Sequence, residues 1–173
     1  MAGFARTVRD MTTWNEFAAQ APRISEIFLR RHHAAHNLCM LATLRSDGYP
    51  RISPVEPRIF EQQLVIVGMP GTTKFRDLRR DPKFCLHTAT TDTMVSDGDA
   101  KVFGRVVDVP DTDTHARFAR KLFDDSGFDL RGKPFDHFFV ADLTGASSVE
   151  VGDDILRITI WKPGEGERVV EKK

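Results

Sequence analysis

The chain has 173 residues, of which 40% are hydrophobic, a length and composition that fit one domain or one domain with a helical extension. Basic and acidic residues number 25 each, so the formal net charge is zero and gives no reason to expect nucleic acid as a partner. Cys39 and Cys85 sit in apolar runs without a close-spaced partner, so we predict reduced, buried thiols in a cytoplasmic protein, with no disulfide framework and no metal site. No stretch approaches a membrane span, and residues 1–10 lack the apolar core of a signal peptide.

The first predicted elements are two helices. Thr13 and Glu16 have the spacing of a capping box, in which the threonine accepts from a free backbone N–H and the glutamate reaches back. Pro22 suits the first turn of a second helix, and an apolar stripe follows it at helical spacing. The sequence therefore predicts a helical N-terminal segment over residues 1–36.

After this segment the apolar pattern changes to short strands separated by turns. The strand candidates are 38–44, 51–58, 64–68, 84–90, 101–109, 138–143 and 155–161. Ser46-Asp47-Gly48 is a hairpin turn signal between the first two. Helices interrupt the strands over 73–80 and 114–123, and the residues after Lys162 are expected to fray. Several short strands with turns between them favour a barrel or a sandwich.

The segment from Gly71 to Leu78 follows a strand and opens a helix. A helix N-terminus leaves backbone N–H groups unpaired and carries a positive partial charge. Thr72 and Thr73 add hydroxyl donors, and Lys74 adds a full positive charge. These features suit the phosphate of a small ligand. From the residues alone, an ordinary capped helix with solvated charges is the alternative.

The strand over 51–58 contains Pro54 and Pro57. Proline cannot donate to a sheet ladder, so this strand is expected at an edge or a gap. A flat heterocycle would fit against such a gap and bond the free backbone groups. The alternative is an edge strand that proline and charge protect against aggregation.

The histidines offer no clear catalytic or metal-binding pattern. His32, His33 and His36 are expected to form a solvated helix end, and His87 to be a hydrogen-bonded histidine of the barrel. The sequence contains neither the Gly-x-Ser-x-Gly elbow of hydrolases nor the His-Glu-x-x-His motif of zinc enzymes. We therefore identify no catalytic acid, base or nucleophile from the sequence.

The order of these segments resembles the pyridoxamine 5'-phosphate oxidase-like proteins, also described as flavin and deazaflavin oxidoreductases. Residues 41–55 resemble their opening β-hairpin, 72–87 their phosphate-binding turn with its helix and next strand, and 102–106 a later strand with its glycine. The combination and its spacing, over residues 26–110 and more loosely 138–162, carry the resemblance, and no single motif does.

The resemblance implies a mainly β fold with flanking helices, a six-stranded split β-barrel that binds FMN. The barrel domain would span residues 37–162, with a helical insertion at 111–137 that shapes the pocket and a tail at 163–173. The family forms homodimers with cofactor sites at the subunit interface. Large apolar residues on late strands would either close the dimer or fill the monomer core: Phe138, Phe139 and Trp161.

The family's cofactor site carries over onto ten residues of this chain. Those that would hold the cofactor phosphate are Thr72, Thr73 and Lys74. The strand that would line the isoalloxazine ring consists of Arg51, Ile52, Ser53, Pro54 and Val55. Behind the ring would lie Val67 and Gly68.

The implied function is that of an FMN-dependent oxidoreductase acting on a small molecule. A deazaflavin cofactor on the same fold is the closest alternative, and a non-enzymatic flavin- or haem-binding protein belongs to a different class. Because the flavin itself carries the hydride chemistry, no side-chain acid or base is required. Residues 165–173 do not resemble the arginine-containing C-terminal motif of pyridoxamine phosphate oxidases, which argues against vitamin B6 oxidation.

Overall fold

A computed structural model describes residues 10–90 and 92–173 of the chain. The helices are α1 (Trp14–Gln20), α2 (Pro22–Ala34), α3 (Thr73–Arg80) and α4 (Thr112–Ser126). The strands are β1 (Cys39–Leu44), β2 (Pro50–Val55), β3 (Arg58–Phe60), β4 (Gln63–Ile66), β5 (Lys83–Thr88), β6 (Asp99–Asp108), β7 (Phe139–Gly152), β8 (Ile155–Lys162) and β9 (Gly166–Lys172). The expectation that no signal peptide is present falls largely on residues 1–9, which lie outside the described residues.

The strands form one antiparallel sheet in the order β2-β1-β5-β6-β7-β4-β3, with β8 paired to β7 and β9 to β8. Strand β2 lies at one end of this order, as Pro54 predicts, but the strand predicted over 51–58 ends at Val55, and Pro57 lies between β2 and β3. The predicted fold class, mainly β with flanking helices in a split barrel, is confirmed. The described residues contribute nine strands to the sheet, where six were predicted. No described helix combines the length and the apolar character needed to cross a membrane.

The hydrophobic core lies between the inner face of the sheet and helices α1 and α2. Leu41, Leu86 and Val102 are fully buried on neighbouring strands, and Trp161 packs edge to face against Phe17 of α1 at 5.0 Å between ring centroids. A second cluster joins α4 to the sheet. The sequence left open whether three large apolar residues close a dimer or fill the core of the monomer. The structure shows core filling, because all three are buried within the monomer: Phe138, Phe139 and Trp161.

Local signals in the sequence explain why several elements begin and end where they do. The Thr13–Glu16 capping box forms, with both reciprocal hydrogen bonds present, and Pro22 occupies the first turn of α2. The β1–β2 hairpin turns through Gly48, whose φ of 85° is one that residues with a side chain rarely adopt. Helix α3 has the predicted bounds.

Two predictions about the C-terminal third were wrong. Strand β7 runs for 14 residues, whereas the sequence predicted a strand over 138–143. The frayed tail is also corrected, because β9 pairs with β8 over seven residues, from Lys162 opposite Gly166 to Leu156 opposite Lys172. The added hydrogen bonds to β8 order the backbone of this segment.

Gly104 is required by the close approach of β6 and β7. The register of these two strands shifts between Phe103 and Gly104, where a bulge interrupts the ladder. A Cβ atom at Gly104 would lie 1.9 Å from the carbonyl oxygen of Asp142, which is backbone and cannot rotate away.

We expect Gly104→Ala to destabilise the protein by about 3 kcal/mol or more, at or above the upper end of ordinary overpacking costs. Gly152→Ala is the matched control, because it lies in β7 with no atom within 4 Å of an added Cβ. Chemical denaturation of both variants measures the difference. Equal stability of the two variants would contradict the proposed backbone contact.

Candidate cofactor site

Helix α3 brings the two predicted stretches of the site together. Its buried face reaches β2 through a hydrogen bond between Asp77 and Arg51. It also contacts the loop after β4, where a Cβ atom on Gly68 would lie 3.0 Å from the ring of Phe75. The ring-lining and phosphate-binding residues predicted from the sequence therefore lie on segments that share contacts with one short helix.

The N-terminal turn of α3 has unused hydrogen-bonding capacity. Thr72 is the N-cap, but its side chain makes no capping bond, and its Oγ1 atom is buried without a partner among the described residues. The N–H groups of Phe75 and Arg76 both donate to the Thr72 carbonyl at 3.2 Å, whereas the described part of the chain offers no acceptor to those of Thr73 and Lys74. Because buried polar groups are nearly always paired, the Thr72 hydroxyl suits an acceptor supplied by a ligand, and an anion there would also accept from the two N–H groups of the helix N-terminus.

Lys74 supplies the positive charge of this turn. Its side chain is half-buried, and its ammonium nitrogen lies 5.7 Å from the centroid of the Phe75 ring. A cation at this distance over an aromatic face is held there electrostatically. The ammonium group is thus kept against the ring of Phe75, the next residue of the same turn.

Asp77 anchors the helix to the β1–β2 hairpin. Its side chain is buried, with only 3% of the residue exposed, and it accepts hydrogen bonds from Arg51 Nε at 2.6 Å, Thr43 Oγ1 at 3.1 Å and Arg80 Nη1 at 3.4 Å. Arg80 also donates to the Leu44 carbonyl. A buried charge is tolerated when it is paired and hydrogen-bonded in this way. The sequence analysis did not identify Asp77, and the sequence has no motif that would mark it.

The environment of Asp77 favours its ionised form. Burial acts to raise the pKa of Asp77, but the hydrogen bonds from Arg51 and Thr43, the positive charge of Arg51 and the bond from Arg80 oppose it, and the net pKa is lowered. The carboxylate is therefore charged at neutral pH and holds Arg51 in place.

Strand β2 presents alternate residues to opposite faces. Ile52 and Pro54 are exposed, and Ile52 is 68% exposed. Arg51 and Ser53 are half-buried on the other face, where Asp77 holds the Arg51 guanidinium. The side chain of Val55 is buried in the main core, so only its backbone is available to a ligand. Val67 is half-buried, and its side chain packs against the second core cluster.

The insertion contributes a contact that the sequence did not predict. Asp136 Oδ2 accepts a hydrogen bond from the Gly71 N–H at 3.1 Å, which ties the segment before β7 to the loop before α3. Next to it, the His137 ring meets the Phe75 ring edge to face, and its Nδ1 lies 2.7 Å from Asp108 Oδ2. A cavity of about 240 Å³ opens beside these residues, against α4. No sequence signal links residues so far apart in the chain.

The histidines form no metal site within the described residues. His33 and His36 are exposed as predicted, but the prediction of a solvated side chain was wrong for His32. Burial lowers the pKa of His32, and its Nε2 lies 3.0 Å from the Pro57 carbonyl, where the neutral ring donates. The hydrogen-bonded role predicted for His87 is confirmed, since it bonds the Thr88 carbonyl and its pKa is raised by Asp99.

Both cysteines are free thiols. Cys39 is fully buried in the core, and burial raises its pKa to about 12. Cys85 is half-buried on β5, and burial also raises its pKa. Neither thiol is poised to act as a nucleophile, because the thiolate is the reactive form.

The sheet order and the placement of α3 define a split β-barrel with a candidate anion site at the start of one short helix. A family model described as pyridoxamine 5'-phosphate oxidase matches residues 26–149. The chain belongs to the pyridoxamine 5'-phosphate oxidase-like family. No curated protein sequence matches it.

Solved structures share this fold at low sequence identity. PhzG from Burkholderia lata 383, in complex with tetrahydrophenazine-1-carboxylic acid, aligns with a TM-score of 0.64 and 12% identity over 89% of this chain and 93% of its own. A pyridoxamine 5'-phosphate oxidase-related, FMN-binding protein from Nostoc punctiforme PCC 73102 aligns with a TM-score of 0.59 and 13% identity, over 88% of this chain and 95% of its own. A heme binding protein from Mycobacterium smegmatis aligns with a TM-score of 0.59 and 20% identity, over 81% of this chain and 59% of its own. These identities show a common fold alone.

The lowered pKa of Asp77 predicts a loss of stability in acid. The group takes up a proton on unfolding in the range between its folded and unfolded pKa values, so its contribution is present above the ordinary aspartate range and is lost as pH falls through the folded pKa. We expect Asp77→Asn to be less stable than wild type at neutral pH and to show a shallower decline in the free energy of unfolding with falling pH. Thr43→Val, which removes one donor, should give a smaller change in the same direction.

Denaturant unfolding at a series of acidic pH values measures both effects. If wild type and Asp77→Asn lose stability in parallel as the pH falls, Asp77 does not carry the acid sensitivity assigned to it.

Proposed function

We propose that this protein is an oxidoreductase that binds FMN and acts on a small molecule, with the FMN phosphate held at the N-terminal turn of α3. One observation carries the proposal: the buried, unpartnered Thr72 hydroxyl lies in the same turn as the free N–H groups of Thr73 and Lys74. A phosphate presents several acceptor oxygens and a negative charge, which this set of donors and the Lys74 ammonium would satisfy.

The ring of the cofactor is assigned to β2 and the loop behind it. Strand β2 is an edge strand of the sheet order, and Pro54 within it has no N–H to give. Residues 51–55 would contact the ring largely through main chain and the Ser53 hydroxyl, with Val67 and Gly68 behind. FMN supplies hydride-transfer chemistry when bound, and the protein contributes binding and orientation.

The absorbance spectrum of the purified protein is the first test of this assignment. Oxidised FMN, a deazaflavin and haem have different visible bands, so one spectrum separates the three cofactors. A flavin spectrum supports the proposal, and a Soret band would replace it with haem binding. The similar FMN-binding protein from Nostoc punctiforme favours FMN.

Free thiols at Cys39 and Cys85 fit a reducing compartment such as the cytoplasm.

Lys74→Ala should weaken FMN binding by about ten- to a hundredfold, because a charge-assisted hydrogen bond contributes roughly 1.5–3 kcal/mol. Lys83→Ala is the control, since Lys83 is an exposed lysine on β5 that pairs with Asp81. Titration of apo-protein with FMN gives both dissociation constants. Unchanged affinity in Lys74→Ala would remove this residue from the site.

We also propose that the protein is a homodimer whose subunits meet through the outer face of the sheet. A continuous row crosses five strands on this face, here called the outer row: Ile52 opposite Ala42, Ala42 opposite Cys85, Cys85 opposite Phe103, and Phe103 opposite Gly145. Phe103 is 41% exposed and Ile52 68%. An apolar row of this kind favours a partner surface, and two copies with zero net charge do not repel each other.

Phe103→Glu should convert the dimer to monomer, since a charge buried at an apolar interface without a partner is strongly unfavourable. Phe128→Glu is the control, because Phe128 is 61% exposed and follows α4, outside the outer row. Sedimentation at low micromolar concentration reports the mass of each variant. A wild-type monomer, or a dimer that survives Phe103→Glu, would contradict the assignment of this face.

A further inference from the structure

The hydrogen bonds of Asp77 come from three separate elements. Thr43 donates from β1, Arg51 from β2 and Arg80 from the last turn of α3. Arg80 adds a bond to the carbonyl of Leu44 at the end of β1. One carboxylate thus joins the helix to both strands of the hairpin.

Asp77 lies one helical turn after the proposed phosphate-binding residues. Residues four apart lie on the same face of a helix, so Asp77 is below Thr73, about 6 Å along the axis. The contact of Phe75 with Gly68 holds the other flank of the same turn. Whatever fixes the rotation of α3 at Asp77 therefore fixes where the N–H groups of Thr73 and Lys74 emerge at the end of the helix.

An apolar side chain at position 77 would also pack α3 against the sheet, as the buried Phe75 and Leu78 do, but it would make no directional contacts with β1 and β2. Hydrogen bonds are directional, and three of them converge on the two oxygens of Asp77. Buried ionic groups add little net stability, and fixing one geometry is the role they serve in some proteins. The network therefore favours a function in geometry over one in stability alone.

We propose that Asp77 is a positioning residue that gives the site its preference for a phosphorylated flavin over the same flavin without phosphate. This inference rests on the proposed function. In the proposed arrangement, Asp77 contacts neither the phosphate nor the ring of the flavin. It acts through α3 on the phosphate, and its hydrogen bond to Arg51 ties that helix to β2.

The test compares FMN with riboflavin, which has the same ring and no phosphate. In the wild type, the ratio of the two dissociation constants measures how much the phosphate contributes to affinity. We expect Asp77→Asn to reduce this ratio by about tenfold, the equivalent of one charge-assisted hydrogen bond, with a much smaller effect on riboflavin itself.

Asp142→Asn is the matched control. Asp142 is also buried, at 2% exposure, but it lies on β7 and accepts from the Thr12 N–H at 2.9 Å. Its replacement should lower stability while leaving the FMN-to-riboflavin ratio at the wild-type value. If both variants lower the FMN-to-riboflavin preference equally, the effect is a general loosening of the fold, and the positioning role is overturned.

A second pair of variants keeps the test decisive if Asp77→Asn does not fold. Thr43→Val removes a single donor from Asp77 and should lower the same ratio in the same direction. The loss of FMN affinity caused by Lys74→Ala should be smaller in the Thr43→Val variant than in wild type. In that variant the helix no longer holds the Lys74 ammonium in its place beside the phosphate, so its removal changes less. Strict additivity of the two changes would overturn the inference.

The outcomes separate this inference from the proposed function. A wild-type protein that binds FMN and riboflavin equally well contradicts the phosphate site itself, and the positioning role with it. A wild type that prefers FMN, together with an Asp77→Asn variant that keeps the full preference, overturns the positioning role alone.

Discussion

A negative charge on Asp77 lies in a place that water barely reaches, and the geometry of the candidate site depends on how that charge is accommodated. Three donors from β1, β2 and α3 converge on it. Removal of a donor leaves a buried carboxylate underpaired, which costs more than the bond contributes when it is present. The helix is therefore restricted to one orientation against the hairpin, with its N-terminal turn open to a ligand.

The barrel provides rigid support for this short helix. Strand β1 lies between β2 and β5 in the sheet, and Cys39 and Leu41 on its inner face belong to the main core. Thr43 therefore donates to Asp77 from a strand that is held on both sides and from the core. On the loop side of α3, Phe75 is buried in the main core and packs against Gly68, and the Gly71 N–H donates to Asp136 of the insertion. Both sides of the helix are thus tied to the core, and the loop side is tied to a surface segment as well.

Features set by local chemistry were predictable from the sequence, and features set by distant contacts were not. Helix α3 has the predicted bounds because the residues that bound it, the glycine and threonines before its first turn and Asp81-Pro82 after its last, are its neighbours in the chain. Asp77 was missed because it stands among arginines, and its partners lie 26 and 34 residues away. The length of β7 was missed because Gly145 and the small residues after it are typical of a turn; Gly145 is in fact covered by the Phe103 ring. The charged tail was expected to fray, yet charge on an edge strand such as β9 also protects it against aggregation.

The most direct measurement of the central claim is the response of individual backbone amides to flavin. Two-dimensional NMR of the isotope-labelled apo-protein would follow each N–H during titration with FMN and, separately, with riboflavin. The account predicts that the amides of Thr73 and Lys74 shift strongly with FMN and little with riboflavin, because the phosphate binds there. Saturation with FMN that leaves both amides unchanged would contradict it.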